Sequence, residues 1–363
     1  MNPKVAARQA RLLRMLESKQ EIRIGREQDC PLSVAKLVRL KEDHPAVLKV
    51  YRHGLTAEVF HLKVEEGHHW CLKRRRHDSL VANVDGRTAF LTELERRREI
   101  EALRELHPTI LANVVCTCFG SARAGVLVSP WLRGVPVHEL NERNLAQMLA
   151  VQAELAHWGW FDWDPSPGNL LDDGQQISVF DFGYMWPFDP RHEFNSNGLT
   201  DPAFHVPERL ETRTLSGLWL DEPDPLPQFR YWRGLCINWA QRELQHLTRE
   251  GASAPVLARL QSLLGEWRSA LASEEALAAN WWRDMYRSHR LDIADDLSGK
   301  SCGPLTLRRL DWLQQAVTEH FAELVDNLGP DEAGLSQAAL LSRLEGLREE
   351  IRANLLPVPT LAG

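Results

Sequence analysis

The chain has 363 residues, 44% of them hydrophobic and 26% charged, a composition that excludes a disordered chain and is long enough for two lobes with cores of their own. Its formal net charge of −7 gives no global reason to expect a nucleic-acid partner, and no run approaches the ~18 apolar residues of a membrane span. The basic start lacks the apolar stretch of a secretory signal, and the scattered cysteines, of which only Cys116 and Cys118 are close, complete no zinc pattern; free thiols in a reducing compartment, and so a cytoplasmic protein, are the expectation.

Residues 1–44 read as a helical extension, with Ala10, Leu12, Leu13 and Leu16 on one helix, residues 35–40 on another, and Cys30-Pro31 as the break. From Val47 the pattern changes to strand, glycine turn, strand over residues 59–64, a turn at Gly67, and a third strand that ends at Lys73. His68 and His69 sit in that turn with no partner at ligand spacing and read as solvated. A helix follows over residues 88–106, where Glu99, Leu103 and Leu106 fall on one face. Residues 114–120 and 125–129 read as two more strands. Asn141 can cap a helix that runs to His157 on a stripe of Leu145, Met148, Leu149 and Leu155.

The next stretch carries the chemistry. Asp164-Pro-Ser-Pro-Gly-Asn169 places an asparagine five residues after an aspartate. Asp172-Asp-Gly174 has tight-turn composition, and the apolar run through Ile177, Val179 and Phe180 returns to Asp181-Phe-Gly183. A carboxylate beside a substrate hydroxyl can orient it and take its proton. An amide oxygen and a second carboxylate across the hairpin can hold Mg²⁺ on a nucleotide's phosphates, because that ion prefers hard oxygen ligands. After Gly183 come a segment rich in Pro, Asp and Asn, then Val206-Pro207-Glu208, and beyond residues 219–228 helical periodicity to the end, with Val256, Leu260, Leu263 and Trp267 on one helix and Leu307, Leu310, Leu313 and Val317 on another.

Aspartate, four residues, asparagine, a turn, then a strand ending in Asp-Phe-Gly resembles the protein-kinase-like superfamily. The resemblance implies a bilobal α+β fold: a helical N-terminal extension over 1–44, a small antiparallel β-sheet lobe over 45–132, and a large helical lobe with a C-terminal helical extension over 133–363. It implies ATP and Mg²⁺ as cofactors, Asp164 as the group that orients and deprotonates the acceptor hydroxyl, and Asn169 and Asp181 as metal ligands. Lys73 would grip the ATP phosphates and Glu99 would hold Lys73, with Glu95 and Glu101 as rivals. Gly54 and Thr56 would cradle phosphate from the first glycine turn, where only one of the three usual glycines is present. Val206-Pro207-Glu208 resembles the Ala-Pro-Glu that closes a protein-kinase activation segment, and Pro207 and Glu208 equally suit an ordinary helix start.

The departures concern the acceptor. Protein Ser/Thr kinases usually carry lysine two residues after the catalytic aspartate, where this chain has Ser166; Asp162 stands where they carry histidine; and the hinge acid gives way to Ser129 and Pro130. Pro167-Gly168-Asn169 looks more like aminoglycoside and choline phosphotransferases, lipopolysaccharide sugar kinases or UbiB-type kinases. The expected activity is transfer of the ATP γ-phosphate to a hydroxyl, with protein Ser/Thr placed narrowly ahead of a small molecule or glycolipid. A pseudokinase binding module and an AMP transferase are the other readings.

Overall fold

The computed structural model describes residues 2–356 except 19, 53, 65, 66, 82, 202, 203, 326 and 327. Helix α1 (Pro3–Ser18), strand β1 (Arg23–Gly25) and the short helix α2 (Val34–Val38) come first. Strands β2 (Val47–Tyr51), β3 (Ala57–Lys63) and β4 (His69–Arg75), helix α3 (Val84–Leu106), and strands β5 (Phe119–Ser121) and β6 (Val126–Pro130) follow. The six strands form one antiparallel sheet in the order β1-β5-β6-β4-β3-β2. Side chains alternate across it with period two. Phe60, Leu62, Leu72, Val126 and Val128 pack with Leu37 and Leu40 on one face, whereas Ala57 and Leu127 pack with Phe90, Leu91 and Leu94 of α3 on the other.

Three expectations for this lobe change. Residues 1–44 are not wholly helical: β1 becomes the edge strand of the sheet, and α1 lies along α3, where Arg11 bonds Glu95 twice at 2.9 Å. Helix α3 starts earlier than residue 88 because Asn83 caps it, accepting from the Gly86 amide at 2.8 Å. Of the strand expected over 114–120, only the last part joins the sheet; Val114 bridges instead to Val179 in the other lobe.

The large lobe begins with β7 (Val135–Pro136), α4 (Glu142–His157) and β8 (Trp160–Asp162), then β9 (Leu170–Asp172), β10 (Ile177–Val179) and β11 (Met185–Pro187). Strands β9 and β10 form the expected hairpin, with Leu170 opposite Val179, and β8 pairs with β11. Helix α5 (Val206–Leu210) leads into a π turn over Glu211–Leu215, and α6 (Ser216–Trp219), α7 (Leu226–Arg249), α8 (Ala254–Ala270), α9 (Glu274–Gly299), α10 (Pro304–Glu319), α11 (Phe321–Leu324) and α12 (Gln337–Ala353) complete the lobe. One core joins α4, the hairpin, α7 and α8 through residues such as Met148, Leu170, Trp232 and Leu260; a second lies under α9, α10 and α12 around Ile293, Leu313 and Leu344. The fold is α+β and bilobal, a small antiparallel sheet lobe with its helix set against a helical lobe. No helix among the described residues is long and apolar enough to cross a membrane.

A buried charge cluster joins the π turn to the helices behind it. Arg233, 0% exposed, donates to Glu211 at 2.6 and 3.0 Å, to Asp284 at 2.6 Å and to Asn280 at 2.7 Å. Removing one member of such a cluster strands the opposite charges in a low-dielectric interior. Arg233→Ala is expected to lower stability by about 3–5 kcal/mol, read as a fall in the urea midpoint; a change within about 0.5 kcal/mol would show that solvent reaches the cluster.

Candidate active site

The strand registers put Tyr51, Val59, His61, Cys71, Lys73 and Ser129 on one face of the sheet, which α3 shares. Trp131, just past β6, stacks on His61 with ring centroids 3.7 Å apart and forms an aromatic wall on this face. Lys73 itself is 8% exposed. Its Nζ lies 2.5 Å from Glu93 Oε2 and 2.7 Å from Asp181 Oδ2. Burial alone would depress the lysine pKa, but Asp181 and Glu93 outweigh it and hold the ammonium above its usual range. Burial likewise pushes the Asp181 carboxyl up, and Lys73 more than reverses that, leaving it below its usual value.

Glu93, not Glu99, is therefore the helix partner of Lys73. Six residues of α-helix separate the two, about 9 Å along the axis and roughly 240° around it, so both cannot face one strand. Glu99 accepts instead from Arg96 at 2.7 Å and from Trp160 Nε1 at 3.1 Å. The sequence did carry a signal for Glu93: Arg97, one turn on, donates to it at 2.9 Å, and the pair lies amid Phe90, Leu91 and Leu94 on the buried face.

Asp181 adopts φ of +67°, a left-handed conformation that a non-glycine residue holds at a cost of about 1–3 kcal/mol. Its Oδ1 accepts from the Gly183 amide at 3.3 Å. A Cβ on Gly183 would come within 3.0 Å of Ala89 Cβ, so glycine lets α3 press directly on this turn. Phe182 is fully buried beneath, with the Arg97 guanidinium 5.0 Å from its ring centroid.

The hairpin brings the other two residues alongside. The Phe180 amide donates to the Asn169 carbonyl at 3.2 Å, which sets Asn169 beside the chain that enters Asp181. Asn169 Nδ2 donates back to the Asp164 carbonyl at 2.9 Å and to Asp164 Oδ2 at 3.2 Å. With the amide nitrogen engaged in the loop, the amide oxygen is the atom available to a cation. Among the described residues no three His, Cys, Asp or Glu side chains converge as a metal cage. Two oxygen donors from the protein suit Mg²⁺, which typically takes one or two protein oxygens and completes its shell with phosphates and water.

Gly54 and Thr56 lie in the β2–β3 turn, but their polar contacts run to Arg76. The Gly54 carbonyl accepts from Arg76 Nε at 2.8 Å and the Thr56 carbonyl from the Arg76 amide at 3.1 Å. A Cβ on Gly54 would sit 2.5 Å from the Ala57 carbonyl oxygen, so the turn needs glycine for its tightness. Thr56 faces a separate cavity between α1, α3 and the strand ends, not the Lys73 cluster. His53, which flanks the turn, lies outside the described residues.

Asp162, which stands at the motif's histidine position, and Arg213, to which the motif did not point, complete the loop around Asp164. Asp162 Oδ1 accepts from the Asp164 amide at 2.9 Å and its Oδ2 from Gln152 at 3.1 Å. Arg213, 49 positions away in the π turn, donates to Asp164 Oδ1 through Nη2 at 2.7 Å and Nε at 3.1 Å. Sequence spacing has no means of marking a partner so distant. Glu208, in the expected closing motif, is buried at the start of α5; it accepts from the His205 amide at 2.9 Å and faces Arg259 at 3.3 Å and Arg287 at 3.6 Å.

Beside Asp164 opens a cavity of about 400 Å³. Trp163, Tyr184 and Phe204 form aromatic walls, Arg8 of α1 and Asp85 of α3 close one side, and Arg213 and Asp296 another. Helix α1 is fastened over the segment after β11: Asn2 Nδ2 donates to the Asn197 carbonyl at 2.7 Å, Arg8 reaches Ser196 and Asn197 at 3.3 Å, and Lys4 pairs with Glu193.

Burial raises the Asp162 carboxyl to about 7 from an ordinary 3.8. The unfolded chain ionises this group near the ordinary value, so the native state loses stability as pH climbs through the interval, by a few kcal/mol at roughly 1.4 kcal/mol per pKa unit. Asp162→Asn is expected to keep the bond to the Asp164 amide and remove that loss. The melting temperature of the variant minus that of the native protein should rise between pH 4 and pH 7.5; a flat difference would mean that Asp162 ionises as freely folded as unfolded.

No family model matches the chain, and no curated protein matches it. The structure is similar to that of Rv3197 from Mycobacterium tuberculosis, solved as a complex with erythromycin, at 18% identity and a TM-score of 0.29 over 44% of this chain and 55% of that one. It is also similar to WbdD, solved as a co-crystal with a kinase inhibitor, at 14% identity and a TM-score of 0.34 over 64% of this chain and 49% of that one. The chain thus spans about half the length of each.

Proposed function

We propose that this chain is an ATP- and Mg²⁺-dependent phosphotransferase whose acceptor is the hydroxyl of a small molecule. The observation that carries the reading is the buried meeting of Lys73 with Glu93 and Asp181, one hairpin away from the Asp164–Asn169 loop. Phosphoryl transfer asks a protein mainly for positioning and for neutralisation of charge. Lys73, oriented by Glu93, supplies a fixed positive charge to nucleotide phosphate oxygens. Mg²⁺ held by Asn169 and Asp181 would add charge neutralisation on the same phosphates. Asp164 orients the acceptor: the hydroxyl oxygen bonds to the γ-phosphorus, the bond from that phosphorus to the ADP oxygen breaks, and the hydroxyl proton passes to the Asp164 carboxylate.

The aromatic walls and modest size of the cavity beside Asp164, about 400 Å³, favour a small acceptor over a protein Ser/Thr side chain. Asn2 and helix α1 hold Glu193, Ser196 and Asn197, and Arg8 lines the cavity, which narrows the approach of an extended peptide to this carboxylate. A nucleotide-binding module without turnover is the second reading; the engagement of the Gly54 carbonyl by Arg76 favours it, since that turn would have to release Arg76 to fold over phosphate.

With γ-labelled ATP, Mg²⁺ and a cell extract split into protein, lipid and small-molecule pools, label is expected in the small-molecule pool and is lost with Asp164→Ala or Asp181→Asn. Label in protein would overturn the acceptor assignment. Nucleotide that raises the melting temperature without any turnover would move the reading to the binding module. Glu93→Gln should lower kcat/KM for ATP at least about 10-fold, the loss of one charged pair in a dry site, while Glu99→Gln stays within about twofold; the opposite ranking would reinstate Glu99.

A further inference from the structure

We propose that Arg213 is a positioning residue of the phosphotransfer site, taking from the π turn the place that a lysine holds within the catalytic loop of protein kinases. The inference rests on the phosphotransferase reading above. The loop from Asp164 to Asn169 contains no cation of its own, and Ser166 stands where the lysine is expected. Arg213 fills that electrostatic gap from outside the loop. Both its Nε and its Nη2 converge on a single oxygen, Asp164 Oδ1. Among the described residues the other oxygen, Oδ2, accepts only from the Asn169 amide at 3.2 Å, which leaves a lone pair for an acceptor hydroxyl. The guanidinium therefore decides which carboxylate oxygen faces the substrate.

The surroundings are built to hold this arginine still. Its third nitrogen bonds Asp292 of α9, and Asp296 stands 3.9 Å away. Asp292 is itself fixed by Arg309 of α10 at 2.8 Å. On its other flank the π turn is gripped by the Glu211–Arg233 pair, and the Thr214 hydroxyl donates to the Pro165 carbonyl within the catalytic loop. A π turn widens the helix by one residue and is frequently found at functional sites; here it turns Arg213 toward Asp164 and Glu211 toward the core. The Arg213 side chain remains 19% exposed, and it lines the cavity beside Asp164. A purely structural arginine would have no need of that opening.

The test uses slow hydrolysis of γ-labelled MgATP by the full chain, water serving as acceptor, so that no acceptor need be known. Asp181→Asn sets the background; a native rate no higher than that background would overturn the phosphotransferase reading and this inference together. Given turnover above background, Arg213→Ala is expected to lower kcat about 100-fold, typical for loss of one charged catalytic contact, with KM for ATP within about threefold. Guanidinium chloride at low millimolar concentration should restore at least about 10-fold of the loss, and sodium chloride at equal ionic strength should not. Arg213→Lys should not recover the rate, because one ammonium cannot bridge Asp164 and Asp292 at these distances. If Arg213→Ala does not fold, Asp292→Asn replaces it: kcat is then expected to fall about 10-fold, with KM steady and no rescue by guanidinium. A rate in the variant at or above the native one, or a loss that guanidinium fails to relieve in folded Arg213→Ala, would overturn the positioning role while leaving the phosphotransferase reading in place.

Discussion

Lys73 joins three elements that are far apart in the chain: strand β4, which carries it, helix α3 through Glu93, and the turn after β10 through Asp181. An ammonium in this position loses its hydration and is tolerable only with both carboxylates in place. That demand fixes the helix on the sheet and the sheet on the large lobe at once. A slip of α3 by one residue would rotate Glu93 away by about 100° and leave two or three buried charges without partners. The left-handed backbone at Asp181 and the close approach of Ala89 to Gly183 are local consequences of the same constraint.

Around this centre the large lobe is braced by arginines where a simpler protein would use only apolar packing. Arg233 bridges Glu211 and Asp284, Arg213 bridges Asp164 and Asp292, and Arg309 joins Asp292 to the Ser216 hydroxyl. Such pairs contribute little net stability, because desolvation offsets most of their attraction, but they tolerate few alternative geometries. Their effect is to make the C-terminal helices part of the support of the loop from Asp164 to Asn169. Asp292 and Asp296 on α9 and Arg309 on α10 stand behind Arg213, and Asp295 receives Arg209, whose Nε donates to the Trp163 carbonyl at 2.7 Å.

The N-terminal segment plays a corresponding part on the other side. Arg11 braces α3 near Glu93, Gln9 reaches Asp85 at the start of α3 at 3.3 Å, and Asn2, Lys4 and Arg8 hold the segment after β11. One amphipathic helix thus touches both the element that orients Lys73 and the wall of the cavity beside Asp164. Position of α3 and access to the cavity are coupled through it.

The sequence by itself determined the parts that depend on local order. The three strands of which the third carries Lys73, the hairpin whose turn is Asp172-Asp-Gly174, and the grouping of Asp164, Asn169 and Asp181 follow from period-two alternation, turn chemistry and short spacing, and the composite was enough to indicate a bilobal α+β fold; only the end of the third strand differs, at Arg75 instead of Lys73. The tertiary structure alone decided whatever depends on rotation about a helix or on contact between distant segments. Glu93 rather than Glu99 meets Lys73 because an asparagine cap sets where α3 begins, and helical phase cannot be measured from a proline 15 residues downstream. Arg213 meets Asp164, and α1 walls the cavity, because buried charges must find partners wherever the fold brings them, and such pairings carry no periodicity that a linear reading can detect.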